Sequence, residues 1–147
     1  MKKVIIITLL SICSIGLSAQ DSGLGAGVIF GEPTGISLKS WMSSKTAIDA
    51  AIAWSALDDF LYVHADFLIH NFDIIDVSDG QLPLYFGLGA KVGFGNDVVF
   101  GARIPIGLDY MFGSAPLDIF VEIVPGLTLV PGIDFDIDAG IGIRYWF

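Results

Sequence analysis

Few side chains in this sequence have the chemistry to move protons, attack an electrophile or hold a metal. The two histidines, His64 and His70, come first, with Asp66 two residues beyond His64. On an extended strand that spacing puts His64 and Asp66 on one face, about 6–7 Å apart. A base and an orienting carboxylate would suit such an arrangement. His64 and His70 share the same face, but their separation along a strand is about 20 Å, so one metal ion cannot take both. Ser37 and Ser55 are the plausible nucleophilic serines, and neither has a histidine at a spacing a triad could use. The glycine-rich run Gly23-Leu24-Gly25-Ala26-Gly27 opens a strand and precedes no helix, so it is not a phosphate loop. No catalytic residue, metal ligand set or cofactor is expected from these motifs.

The charged residues become informative once placed on the elements that carry them. The sequence after residue 20 alternates with period two for most of its length, the pattern of β-strands. Eight strands are expected, near 23–30, 36–42, 46–55, 60–71, 83–94, 98–112, 117–129 and 133–147. Turn residues separate them: Gly31 to Gly35, Ser43-Ser44-Lys45, Leu57-Asp58-Asp59, Gly95-Asn96-Asp97, Gly113 to Pro116, and Pro131-Gly132. One longer connection, Asp73 to Leu82, carries Asp73, Asp76 and Asp79.

The two faces of each strand differ in kind. The sixth sets Val98, Phe100, Ala102, Ile104, Ile106 and Leu108 against Val99, Gly101, Arg103, Pro105, Gly107 and Asp109. The last sets Phe135, Ile137, Ile141, Ile143, Tyr145 and Phe147 against Asp134, Asp136, Asp138, Gly142, Arg144 and Trp146. One face is bulky and apolar; the other mixes glycine with charge. Pointed inward, the apolar face would overfill so small a barrel. Pointed outward into lipid, it leaves glycines to make room for long charged side chains inside. That is the alternation of outer-membrane barrels. The interior network is then expected to be Lys39, Asp49, His64, Asp66, Lys91, Arg103, Asp109, Glu122, Asp138 and Arg144, with Asp118, His70, Tyr62 and Tyr85 on the same face. Buried charge persists only when paired and hydrogen-bonded, so a plug of ion pairs is expected.

The rest of the sequence agrees with an exported chain. Lys2 and Lys3, an apolar stretch from Val4 to Leu17, and Leu17-Ser18-Ala19 read as a secretory signal peptide, residues 1–19. The barrel is then a single domain, 20–147. Leu10-Ser11-Ile12-Cys13 is a rival lipidation site, disfavoured by the bulk of Ile12. With cleavage after Ala19 the one cysteine departs, and no disulfide or thiol chemistry is left. Losing Lys2 and Lys3 takes the formal charge from −9 to −11, so there is no basic footprint for nucleic acid. Although 54% of residues are hydrophobic, no run after the signal reaches the ~20 residues of a spanning helix. Within lipid, only helices and closed barrels satisfy the whole backbone.

The terminal segment Ile141-Gly142-Ile143-Arg144-Tyr145-Trp146-Phe147 resembles the C-terminal signal by which outer-membrane barrels are recognised for assembly, with Tyr145 and Phe147 as its aromatic residues. The whole pattern resembles the small OmpA-type transmembrane barrels. Segments such as Gly31-Glu32-Pro33-Thr34-Gly35, His70-Asn71-Phe72-Asp73 and Ala115-Pro116-Leu117-Asp118 resemble a poorly characterised family of small outer-membrane barrels in diderm bacteria, with spirochaetal members. The resemblance implies an outer-membrane location, with outer-membrane lipids and the barrel assembly machinery as partners, and no catalytic residues. A structural or envelope-interaction role leads. A lipid A-modifying enzyme, a small-solute pore and a surface adhesin follow as alternatives. With both termini in the periplasm, the acidic connection Asp73 to Leu82 would face the periplasm, and it is the candidate interaction loop.

Overall fold

The computed structural model describes residues 23–57 and 59–147. The expected signal peptide with Cys13, and Asp58 of one turn, lie outside the described residues. Among the described residues nine antiparallel strands form one sheet: β1 (Leu24–Glu32), β2 (Thr34–Trp41), β3 (Thr46–Ser55), β4 (Phe60–Asn71), β5 (Leu84–Phe94), β6 (Val98–Arg103), β7 (Ile106–Met111), β8 (Leu117–Val130) and β9 (Asp134–Trp146). The sheet closes where β1 pairs with β9, from Gly25 opposite Trp146 to Glu32 opposite Ala139. Closure removes both edges, so no backbone ladder is left open.

The uninterrupted sixth strand expected from the sequence is in fact two pieces. β6 and β7 both lie between β5 and β8 and form one stave of the barrel, broken at Ile104–Pro105. Pro105 has no N–H to give to the ladder. Its carbonyl still accepts from Gly87 N at 3.0 Å, and Ile104 N still donates to Pro125 O at 2.9 Å. The barrel therefore has eight staves. The first connection is also tighter than its five turn residues suggest, because β1 and β2 are separated by Pro33 alone. The Thr34 hydroxyl donates to Gly31 O at 2.8 Å and accepts from Gly31 N at 3.2 Å, clamping that hairpin. Gly31 takes φ +149°, and a Cβ there would strike the Ala139 carbonyl, so only glycine fits this close approach.

Side-chain direction follows the expected phase. On every stave large apolar residues face outward, as with Phe30 (57% exposed), Ile36 (62%), Leu88 (64%) and Ile137 (65%). Lys39, Asp49, Asp66, Lys91, Arg103, Asp109, Asp118, Glu122 and Arg144 face inward and are buried. Glycines of the inner face lie against large interior groups: Gly142 against the Phe120 ring, Gly107 against the Tyr85 ring, and Gly25 against the Trp146 indole. Apart from Phe67 in the interior of β4, the aromatic residues of the outer face sit near the two rims. Phe30, Trp54, Phe94, Phe100 and Phe135 lie near one end of their strands, and Tyr110, Phe112, Tyr145 and Phe147 near the other.

Candidate functional site

The barrel interior holds the chain's concentrated chemistry, arranged in three tiers by the register of the strands. The lowest tier lies at the end where β1 begins and β9 finishes. Asp109 of β7 receives Lys39 Nζ at 2.7 Å and Arg144 Nη2 at 3.2 Å. Arg144 also places Nε 3.0 Å from Asp118 Oδ1, and Trp146 Nε1 donates to Asp118 Oδ2 at 2.9 Å. Lys39 Nζ lies 2.8 Å from His70 Nε2. The Arg144 guanidinium stacks 4.0 Å from the Phe120 ring centre. Two cations thus meet two carboxylates with close contacts, and stacked Trp41 and Trp146 close the tier below, 6.1 Å between centres.

The middle tier is less well matched. Arg103 of β6 places Nε 2.9 Å from Asp66 Oδ1, and Nη2 3.8 Å from Glu122 Oε1. The first contact is close but poorly aligned, so it is an ion pair without a directed hydrogen bond. The Tyr85 hydroxyl donates to Glu122 Oε2 at 2.7 Å. His64 Nδ1 stands 3.5 Å from Asp66 Oδ2. Asp49 of β3 sits directly across from Asp66 of β4.

The upper tier opens at the opposite end. Lys91 Nζ meets Asp136 Oδ2 at 2.7 Å, with Thr128 Oγ1 3.4 Å from the same oxygen. Around this pair lies a vestibule of about 380 Å³, its wall including Glu32, Ser55, Asp134 and Asp138. Below it a cavity of about 20 Å³ reaches His64, Arg103 and Glu122.

Every residue expected in the interior network faces the lumen. Lys39 meets Asp109, Arg103 meets Asp66 and Glu122, and Arg144 meets Asp109. Asp138 is only half-buried and lines the vestibule. Lys91 meets Asp136, an aspartate of the inward face left out of the expected network. Trp146 as a donor to Asp118 was also missed, because no local pattern announces a contact between residues 28 apart in sequence. The acidic loop is set apart from all of this. Asp73, Asp76 and Asp79 are exposed, while Tyr110 Oη donates to the Asp79 carbonyl at 2.9 Å and Gln81 bridges Met111. Tyr145 is outward-facing and packs edge-on against Phe147, 5.1 Å between centres.

A closed, antiparallel, up-and-down sheet of this size is a small OmpA-type β-barrel. Among solved structures the chain is similar to the N-terminal β-barrel domain of Pseudomonas aeruginosa OprF. The TM-score is 0.58 at 15% identity, over 84% of this chain and 95% of that one. The likeness is one of fold, and it bears out the expected OmpA-type architecture. No family model and no curated protein matches the sequence.

Proposed function

We propose that this chain is an integral barrel of the outer membrane of a diderm bacterium, exported by its signal peptide, with a plugged interior and a structural or envelope-interaction role. The observation that carries the proposal is the inverted distribution of polarity. Large apolar side chains cover the outside of every stave, whereas Lys39, Asp49, Asp66, Arg103, Asp109, Asp118 and Arg144 are buried within. A water-soluble protein rarely exposes an apolar patch beyond a few hundred Å², and here the apolar surface runs around the barrel. The two aromatic rims fit the interfacial girdles of a membrane barrel. Outer-membrane lipids are the surrounding partners, and the assembly machinery reads the Tyr145–Phe147 end. The loop bearing Asp73, Asp76 and Asp79 is the place for an envelope partner.

Catalysis on lipid A has less support, because it needs a histidine at the outer rim or on the lipid face. Both histidines of the chain point inward and are buried. Conduction is opposed by the interior itself, since eight strands leave space for little beyond side chains. Membrane fractionation with heat-modifiable migration on gels tests the proposal. Folded protein should stay with the outer membrane and run anomalously until boiled. Recovery from the periplasm without detergent would sink it. In planar bilayers the barrel should give no steady conductance.

A further inference from the structure

The middle tier holds a pair of facing carboxylates that the lowest tier lacks. Asp49 and Asp66 are cross-strand partners, and like charges directly opposite one another repel. Both are buried, at 7% and 2% exposure, as is His64 at 5%. Asp49 Oδ1, both oxygens of Asp66 and His64 Nδ1 have no hydrogen-bond partner among the described residues. Orphaned polar atoms are rare in folded proteins, and three of them (Asp49 Oδ1, Asp66 Oδ2 and His64 Nδ1) converge here beside the Arg103–Asp66 ion pair. Arg103 serves Asp66 and Glu122 together. Asp49 takes part in none of the ion pairs of this tier.

We propose that Asp49, His64 and Asp66 form a binding site for a divalent transition-metal ion inside the barrel, filled from the vestibule. One ligand atom from each residue lies within 4.8 Å of the other two. His64 Nδ1 and Asp66 Oδ2 are 3.5 Å apart, close to the separation of about 3.4 Å implied by tetrahedral metal bonds of about 2.0–2.1 Å. A dication would offset the facing carboxylates of Asp49 and Asp66 and use their unbonded acceptors. Gly89, across from Asp66 on β5, keeps the carboxylate's space clear, since a Cβ there would collide with Oδ1. One imidazole and two carboxylates, without thiolate, suit zinc or a neighbouring first-row ion. The 20 Å³ cavity at His64 has room for one water as a further ligand.

The approach from the vestibule reaches the site on its His64 side. The cavity and the vestibule share Glu32, Pro33 and Asp138. The charged residues of the vestibule wall, apart from Lys91, are the acids Glu32, Asp134, Asp136 and Asp138, and such a mouth concentrates cations.

The experiment is zinc titration of the chelator-stripped barrel in detergent micelles, read by calorimetry, with cobalt as an absorbing substitute. Asp49→Asn and His64→Gln are compared with the vestibule variant Glu32→Gln/Asp134→Asn. Heat-modifiable migration verifies folding of each. The expected result is one zinc per chain, held by the vestibule variant. Each ligand variant should bind on the order of 100-fold more weakly, at least the loss that follows removal of a supporting contact. The cobalt spectrum should lose its nitrogen-ligand signature in His64→Gln, so that either ligand variant alone can decide if the other fails to fold. Absence of zinc uptake by the folded wild-type barrel overturns the proposal. So does uptake that survives the ligand changes, or uptake lost only in the vestibule variant. The site rests on the barrel's register and not on its membrane location, so the two proposals can fail separately.

Discussion

Replacing Arg144 with alanine, beside a companion change at its sequence neighbour Ile143, examines the inside–outside assignment of the barrel. Arg144 is 2% exposed, its partners Asp109 and Asp118 are fully buried, and its guanidinium lies on the Phe120 ring. Arg144→Ala leaves Asp118 with the Trp146 N–H alone and Asp109 with Lys39 alone. Breaking a buried pair from one side costs about 3–5 kcal/mol, because the remaining charge is stranded in a poorly solvated place. Ile143 faces the other way and is 39% exposed to the surroundings. If those surroundings are lipid, Ile143→Ala forfeits the transfer of three carbons from water, about 2 kcal/mol at ~0.8 per methylene. No cavity penalty is added, since acyl chains fill the space. If the surroundings were water, a half-exposed surface change would cost within about 0.5 kcal/mol. Urea unfolding of the barrel from lipid vesicles measures both variants on one scale. The expected order is Arg144→Ala worse than Ile143→Ala, with the second near 2 kcal/mol. An Ile143→Ala effect close to zero would refute the lipid-facing assignment, and the reverse order would refute the buried ion pair. The double variant with Asp118→Ala should be less damaging than the two single costs added together, because the stranded charge is removed.

Other changes follow from the same geometry. Gly142→Val drives a side chain into the Phe120 ring, and overpacking of this kind should cost about 1–3 kcal/mol, read as a lower urea midpoint with the heat-modifiable form retained. Phe147→Ala removes the ring that packs on Tyr145; it should lower the yield of folded barrel in cells far more than in vitro refolding, and equal yields in cells would count against an assembly signal. A single cysteine at Ser78, in the exposed acidic loop, should resist an impermeant maleimide on intact cells and react after the outer membrane is opened. Strong labelling of intact cells would move that loop to the cell surface.

Much of this barrel is legible from local pattern. Alternation with period two is a property of consecutive residues, because successive side chains of a strand point to opposite faces. The inward phase of Lys39, Asp66, Arg103 and Arg144 follows from it directly, as does the outward phase of Phe100 and Ile137. Turn residues such as Pro131-Gly132 mark strand ends for the equally local reason that their backbone preferences interrupt a ladder. The break of one stave at Pro105 was accessible to the same reasoning, since proline cannot donate within a sheet, but the unbroken apolar alternation on either side of it masked the signal.

Partnership is different, because it is set by register and closure. The Lys39–Asp109 pair spans 70 residues of sequence, and Lys91 meets Asp136 across 45. Which inward charges meet depends on how eight staves stagger as the sheet closes, and no sequence interval encodes that stagger. The same holds for the middle tier. His64 and Asp66 were visible together on one strand, and the distance between the two histidines ruled out a shared ion. The third member, Asp49, arrives from the neighbouring strand only through the pairing of β3 with β4. The sequence by itself therefore determined which side chains face inward, through a periodicity that needs only the pleat. Tertiary structure decided which of them touch, which carboxylates find a cation and which are left facing each other, because those outcomes depend on distances that exist only in the closed barrel.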